Sequence, residues 1–238
     1  MEAAGYTTLT RQNGLLREIQ IIANNIANAS TTGFRAEGLI FSEHVVRTEG
    51  GPSLSMATGN VRRTSLAQGA LDPTGGRLDF AIEGDGFFWI DTPRGERLTR
   101  AGNFTTNNVG ELVTHDGHRV LDVGGAPVFI PPSAVRLGVA SDGTLSADDQ
   151  PLAQLGTVRP ADGATLTREG GVLFRTDGAL EPAQDARIVH RHLESANVDP
   201  VLQVARMVEV QRAYELGQSF LDAENERVRE ALRSVTRG

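Results

Sequence analysis

The chain has 238 residues, of which 39% are hydrophobic and 22% are charged, and its formal net charge is −7. This length can bury a sizeable core in one large domain or in two small ones. The acidic balance argues against a protein that holds nucleic acid or an anionic membrane through a broad basic surface. Because the sequence has no cysteine, disulfides and thiolate metal sites are excluded.

The N-terminal segment has the apolar periodicity of an amphipathic helix. Apolar residues recur at helical spacings at Leu9, Leu16, Ile19 and Ile26, and the stripe is widened by Leu15 and Ile22. The pattern ends in the turn-forming run Asn28–Gly33, where glycine can take a positive φ. We therefore predict a helix at about residues 5 to 28.

The same segment is unlike a secretory leader. It has acidic Glu2 near its start and polar or charged residues distributed through Glu18, whereas a leader has a basic start and an apolar core. No stretch of the sequence reaches the ~20 mainly apolar residues that a bilayer-spanning helix needs. We expect neither a cleavable signal nor insertion into a membrane.

A second helix is predicted at the C-terminal end. Asp199 has the side chain of an N-cap, and Pro200 suits the first helical position, where its missing N–H costs nothing. Apolar residues then recur every seventh position at Met207, Tyr214, Leu221, Val228 and Val235. A second track follows three residues later at Val210, Gly217, Glu224 and Ala231. Together the two tracks predict an imperfect heptad seam.

The middle of the chain has the short apolar runs that are typical of strands. Examples are Asp79–Glu83, Gly86–Ile90 and Ala126–Ile130. Glycines that can supply the positive φ of tight turns recur at Asp116–Gly117, Asp142–Gly143, Asp162–Gly163 and Asp177–Gly178. These features predict an antiparallel β domain.

The elements together predict an α+β fold with a discontinuous plan. We expect residues 1–34 and 195–238 to form a domain of two terminal helices, paired as in a coiled coil. Residues 71–194 should form an inserted antiparallel all-β domain. Residues 35–70, with polar and small runs at Glu49–Ser53 and Ala57–Asn60, are expected to be an extended connector.

Two paired helices have a thin core because they bury apolar surface only along a line. Each buried aliphatic side chain contributes ~1.5–3 kcal/mol, whereas ordering costs ~1–2 kcal/mol of backbone entropy per residue. The helices could pack on the chain's own β domain, or they could assemble with neighbours. Assembly is favoured by apolar residues off the main seam, at Leu15, Ile22, Val204, Val208 and Phe220.

A group of amides lies near the end of the first predicted helix. Asn24 and Asn28 share a helix face, and Asn25 lies beside them. Amides can both donate and accept hydrogen bonds, which suits contacts that fix the register between subunits. The alternative is a helix that frays into a polar turn.

Several blocks of the sequence carry a resemblance to a known family. The N-terminal block is Ala23–Phe34, the C-terminal blocks are Ser195–Pro200 and Met207–Tyr214, and the middle blocks are Phe80–Phe88, Leu98–Phe104 and Gly110–Thr114. They are similar to the two terminal signatures and the shared β domain of the axial proteins of the bacterial flagellum. The small middle domain favours a rod subunit over a hook protein. The blocks most resemble the proximal, FlgF type of rod protein, with the distal, FlgG type as an alternative.

The resemblance implies a structural subunit of a hollow helical rod that crosses the periplasm. The terminal helices would line the inner tube and the β domain would face outward. The implied partners are further copies of this chain, other flagellar rod proteins and the flagellar type III export apparatus. Candidate subunit-assembly residues are Leu9, Leu16, Ile19, Ile22, Asn24, Ile26, Asn28, Met207, Val210, Tyr214, Leu221 and Val228. A secreted β-rich adhesin or tail-fibre protein is the alternative from another class.

No catalytic, cofactor or metal site is predicted. The histidine pairs His115 and His118, and His190 and His192, come with no pattern that supplies a third ligand. Gly84–Gly86 lacks the lysine and the spacing of a phosphate-binding loop. We interpret these residues as surface histidines and a β-turn, and we predict that the chain is not an enzyme.

Overall fold

The computed structural model describes residues 2–46 and 54–235 and has an α+β fold. The chain separates into two compact units. The helical unit spans Met1–Asn28, Ala36–Ser65 and Val198–Gly238, and the β unit spans Ala29–Arg35 and Leu66–Asn197. The terminal segments therefore belong to one unit and most of the middle to the other.

The helical unit consists of two helices and a hairpin. Its elements are α1 (Glu2–Ala27), β1 (Glu37–Val46), β2 (Leu54–Thr64) and α2 (Pro200–Val235). The two strands pair antiparallel from Glu37 opposite Thr64 to Val46 opposite Leu54, with a register shift after Ile40. The hairpin contacts α1 through both strands.

This hairpin replaces most of the connector expected over residues 35–70. Pairing satisfies the backbone N–H and C=O groups along the facing edges of the two strands, whatever their side chains are. The polar run Ala57–Asn60 consequently lies inside β2. The other run that suggested a connector, Glu49–Ser53, lies outside the described residues.

The helix boundaries follow their local signals. The Asp199 carboxylate accepts hydrogen bonds from the N–H groups of Val201 at 2.9 Å and Leu202 at 3.1 Å, so the predicted N-cap of α2 is confirmed. At the end of α1 the Asn28 N–H reaches the Asn24 carbonyl at 3.1 Å. Gly33 then has a φ of +68°, which confirms the positive φ expected after the first helix.

The β unit is built from short strands. They are β3 (Leu71–Pro73), β4 (Phe80–Glu83), β5 (Phe87–Thr92), β6 (Gly95–Thr99), β7 (Thr105–Thr106), β8 (Leu112–Val113), β9 (Arg119–Val120), β10 (Leu137–Val139), β11 (Thr144–Ala147), β12 (Gln150–Gln154), β13 (Thr157–Pro160), β14 (Leu166–Gly170), β15 (Leu173–Thr176), β16 (Leu180–Pro182), β17 (Arg187–His190) and β18 (His192–Glu194). Every pairing of these described strands is antiparallel, as predicted.

The largest sheet has the strand order β14-β15-β6-β5-β9-β8-β7, and β13 pairs with both β5 and β16. A second sheet has the order β10-β11-β12. The first strands of the unit pair with its last strands, β3 with β18 and β4 with β17. Backbone pairing therefore joins the first and last segments of the unit.

The core of the β unit contains the apolar runs that predicted strands. Its larger cluster includes Phe80, Ile82, Phe88, Ile90, Phe104, Leu112, Val128, Ile130, Leu145 and Leu155. A smaller cluster contains Phe87, Leu98, Val158 and Phe174. Asp79–Glu83 and Gly86–Ile90 become β4 and β5, in agreement with the prediction.

Two local predictions for the β unit are wrong. The run Ala126–Ile130 is not a strand, because the Val128 N–H bonds the Val120 carbonyl at 2.9 Å and the Ile130 N–H bonds the Gly110 carbonyl at 2.8 Å. Successive backbone groups thus reach two different neighbours and form no ladder. Of the four Asp-Gly glycines, those at 117, 143 and 163 have a positive φ, whereas Gly178 does not.

Candidate assembly surface

The two helices of the helical unit run antiparallel. Near one end the Asn25 Nδ2 donates to Gln203 Oε1 at 3.3 Å, and near the other the Gln12 Nε2 donates to the Tyr214 carbonyl at 2.8 Å. Residue numbers therefore rise along α2 as they fall along α1. Between these contacts Arg206 forms an ion pair with Glu18 at 2.8 Å.

The apolar contact between the helices is small. Among the described residues its fully buried members are Leu15, Ile22 and Val210, and the partly buried residues around them are Ile19, Ile26, Met207, Ala213 and Tyr214. Six of the candidate assembly residues therefore lie at this contact within the chain: Ile19, Ile22, Ile26, Met207, Val210 and Tyr214. Regular coiled-coil packing of the pair stays a prediction.

The other candidate assembly residues lie at the margin of this contact or outside it. Leu221 and Asn28 are partly buried, and Asn24 is exposed. Leu9, Leu16 and Val228 are exposed large apolar residues. None of these placements tests a contact with another subunit.

The structure corrects the predicted orientation of α1. Leu9 and Leu16 were expected in the seam, with Leu15 and Ile22 left for a partner, but Leu15 is 8% exposed and Leu16 is 40% exposed. Both stripes repeat every seven residues, so periodicity does not distinguish them. The hairpin contacts α1 as well as α2 does, and these two neighbours together fix the rotation of the helix.

The amide that holds the helical unit together is Asn25, which the candidate set omits. Its Nδ2 donates to the Glu37 carbonyl at 2.8 Å, and its Oδ1 accepts from the Glu37 N–H at 2.9 Å. The Asn25 side chain therefore satisfies both backbone groups of Glu37 at the start of β1. Asn28 instead returns to the carbonyl of Asn24 at 2.9 Å. The sequence favoured Asn24 and Asn28 as register-fixing amides because their spacing places them on one helix face, whereas the contacts of Asn25 depend on a distant strand.

Both helices carry exposed apolar side chains away from their mutual contact. On α1 these are Leu9 and Leu16, and on α2 they are Val201, Leu202, Val204, Val208, Leu216, Phe220, Val228 and Leu232. The predicted off-seam residues Val204, Val208 and Phe220 are among them. Such a concentration of apolar surface on one small unit is typical of a protein interaction site.

A second feature consists of the two segments of the β unit through which the chain continues from and to the terminal helices. We call residues 29–35 and 194–197, which lie in the β unit, the clasp. The Gly33 N–H donates to the Glu194 carbonyl at 2.7 Å, and the Asn197 N–H donates to the Phe34 carbonyl at 3.3 Å. A side chain at Gly33 would put its Cβ 2.3 Å from the Ala101 nitrogen. This close approach explains why the sequence has glycine there.

Two residues of the clasp, Arg35 and Glu194, form a buried group of three charges with Arg100, which lies outside the clasp. Glu194 binds Arg35 at 2.7 Å and Arg100 at 3.2 Å, and it also accepts the Gly69 N–H at 2.8 Å. All three charged side chains are at most 3% exposed. Burial lowers the pKa of Arg100 to about 10, and the charge of Glu194 opposes that shift. No sequence pattern pointed to this group, because its members are far apart along the chain.

The histidines show ordinary backbone contacts. His190 Nε2 lies 2.9 Å from the Arg77 carbonyl, and His192 Nδ1 lies 2.9 Å from the His190 carbonyl. Within residues 2–46 and 54–235 there is no group of three or more histidine or acidic side chains arranged to hold a metal ion. Over the same residues, no helix is long and apolar enough to cross a membrane.

Comparison with known proteins identifies the family. Residues 6–35 match the family model of the flagella basal body rod protein, residues 81–147 match the D1 domain of the flagellar hook protein FlgE/F/G, and residues 190–234 match the C-terminal region of the flagellar basal body rod FlgEFG protein. The three matches cover most of the terminal segments of the helical unit, the whole clasp and part of the rest of the β unit.

Full-length relatives agree with these matches. The chain is 41% identical to the flagellar basal-body rod protein FlgF of Caulobacter vibrioides, over 98% of this chain and 97% of that protein. It is 40% identical to FlgF of Mesorhizobium japonicum over 90% of each chain. It is 31% identical to the rod protein FlgG of Bacillus subtilis, over 95% of this chain and 97% of the relative. The chain therefore belongs to the family of flagellar basal-body rod proteins, as a structural, non-enzymatic protein of the FlgF type.

Proposed function

We propose that the chain is a subunit of the proximal rod that polymerises through its terminal helices into a hollow axial structure. In this role it transmits torque and surrounds the passage taken by exported subunits. Its partners are further copies of itself and other rod proteins. In this proposal the terminal helices are the part of the chain that assembles.

The observation that carries the proposal is the apolar surface of the helical unit. Leu216 is 71% exposed on α2, and Leu9 and Leu16 are exposed on α1. Full burial of a leucine or phenylalanine side chain stabilises a structure by about 1.5–3 kcal/mol. Neighbouring subunits that cover several of these residues would therefore supply stability that the thin helix pair lacks alone.

The chain's route to the rod is part of the proposal. We propose export through the flagellar type III apparatus, because a unit that depends on neighbours for stability is easily kept unfolded during passage through a narrow channel. Hydrogen exchange of the purified monomer tests this dependence. We expect fast exchange in α1 and α2 before assembly, and strong protection there would contradict it.

Assembly itself is tested with a matched pair of substitutions. Leu216→Asp places a charge on the exposed face of α2, and Val135→Asp makes the same kind of change at a residue of the β unit that is 79% exposed. We expect electron microscopy and sedimentation under assembly conditions to show tubes or rings for the wild type and Val135→Asp only. Equal assembly by both variants would rule out the terminal helices as the polymerising surface.

A further inference from the structure

The helical unit contains a buried acceptor whose partner is missing. Gln12 is 6% exposed, and its Nε2 donates to the Tyr214 carbonyl at 2.8 Å. Since only the NH₂ end of an amide can donate to a carbonyl, this bond fixes the orientation of the side chain. The other atom, Oε1, is buried and has no hydrogen-bond partner within the described parts of the chain. Such an acceptor costs free energy until a donor reaches it.

Gln12 lies at a notch between the helices. The notch has a volume of about 340 Å³, and its lining includes Thr8 and Leu15 of α1 and Ala213, Leu216 and Phe220 of α2. Gly217 allows the Gln12 side chain to approach α2 closely, because a Cβ at position 217 would lie 2.2 Å from Gln12 Nε2. The notch therefore combines the exposed side chains of Leu216 and Phe220 with a buried acceptor, and its lining also includes the charged residue Arg11.

The same chain carries a ridge with complementary chemistry. Leu9, Asn13, Leu16 and Gln20 are exposed and follow one another at spacings of four, three and four along α1. They consequently share one helix face. The Asn13 amide, which can donate, lies between the two leucines. We call these four residues the ridge.

The ridge and the notch match in length. Seven residues separate Leu9 from Leu16, and seven separate Ala213 from Phe220, which is a rise of about 10 Å in each case. A two-turn ridge can therefore fill a two-turn notch.

The ridge and the α2 wall of the notch face opposite sides of the helix pair. At about 100° per residue, Leu16 is rotated about 100° from the buried Leu15, and Phe220 is rotated about 80° in the opposite sense from the buried Val210. In an antiparallel pair, equal rotations away from the contact lead to the same side of the pair. These two rotations have opposite signs, so the ridge and the Phe220 wall of the notch point away from each other, whereas Gln12 reaches across the helix contact to Tyr214.

We propose that the ridge of one copy packs into the notch of the next, with the Asn13 amide donating to Gln12 Oε1. This contact presupposes the assembly proposed above and names its interface. Two different surfaces on opposite sides of one unit make a head-to-tail interface, which propagates into a ring or a helical filament. A self-complementary contact would stop at a dimer.

Cysteine cross-linking tests the contact directly, because the natural chain has no cysteine. Full-length Leu16→Cys and Phe220→Cys chains are oxidised separately and as a mixture, at a concentration where the wild type assembles. We expect the mixture to give a disulfide-linked dimer at least tenfold more abundant than either chain alone, since a disulfide needs the two Cα atoms within about 7 Å. A mixture of Val201→Cys and Phe220→Cys, with position 201 on the outer face of α2, is the matched control and should not cross-link.

The outcomes separate this contact from the general proposal. Equal self-linking of either single variant would overturn the head-to-tail arrangement. Assembly measured by sedimentation without a dimer of the Leu16 and Phe220 variants would overturn the ridge and notch alone, and would point to another rod protein as the occupant of the notch. If the wild type fails to assemble through its helices, the proposed function fails with it.

The hydrogen bond has its own test. Asn13→Ala removes the donor from an exposed position and should weaken association about 2- to 10-fold, the usual range for one hydrogen bond. Gln20→Ala is the control on the same helix face. In a Gln12→Met chain the further change Asn13→Ala should have no additional effect, and an undiminished effect there would exclude the pairing of Asn13 with Gln12.

Discussion

The buried charges of the clasp should contribute far more to stability than an exposed ion pair does. Glu194 is 0% exposed and binds both Arg35 and Arg100. Glu194→Gln keeps the shape of the side chain but removes the charge that forms ion pairs with both buried guanidinium groups. Breaking a buried pair in this way costs about 3–5 kcal/mol. We therefore expect the free energy of unfolding of the β unit to fall by that amount.

The control for this prediction is an ion pair on the surface of the same unit. Glu181 binds Arg159 at 3.3 Å, and the two side chains are 47% and 50% exposed. Exposed pairs contribute about 0–1 kcal/mol, so Glu181→Gln should have little effect. Urea unfolding followed by Trp89 fluorescence reports on this unit, because Trp89 is the chain's only tryptophan.

The comparison of the two variants decides the question. If Glu194→Gln and Glu181→Gln differ by less than about 1 kcal/mol, the clasp charges are not isolated from water and the reasoning is refuted. A further variant gives an independent check. Replacing all three charges of the group, with Arg35→Met, Arg100→Met and Glu194→Leu, should recover much of the lost stability, because no unpaired charge of the group remains buried.

Three further predictions concern the backbone, the amides and pH. Gly33→Ala should lower the free energy of unfolding by about 3 kcal/mol or more, measured in the same urea assay. Gly75 has a similar φ of +72° and open space around it, so Gly75→Ala should cost only about 1–2 kcal/mol. Equal losses for the two variants would exclude the clash at Gly33. Asn25→Ala should lower the stability of the helical unit by about 1–3 kcal/mol, and Asn24→Ala should lower it by less than about 0.5 kcal/mol. Both are measured from the helical circular dichroism signal on heating. A larger loss for Asn24→Ala would contradict the role of the Asn25 contacts. Hydrogen bonds within its turn lower the pKa of Asp142 below 3.8, so its stabilisation is complete above that pH and is lost as the pH falls through the lower folded value. Asp142→Asn should flatten the loss of stability in acid, and an unchanged acid profile would contradict this.

The features that depend on neighbouring residues could be predicted from the sequence. Both helices, the N-cap at Asp199 and the positive φ at Gly33 were predictable because each is set within a few positions of the chain. The antiparallel β unit also followed from its short apolar runs and turn residues. The blocks that resemble flagellar axial proteins lie in linear order, so they needed no structure to be seen.

Which face of each element is buried depends instead on contacts between residues that are distant in sequence. Leu15 and Leu16 belong to equally regular stripes, and the choice between them depends on a hairpin and a second helix that are distant in sequence. Likewise, the burial of Asn25 rather than Asn24 depends on a distant strand. The ion pairs of Glu194 depend on two arginines that come from separate parts of the chain. Burial and ion pairing are properties of the packed surroundings, whereas caps and turns are properties of the local chain.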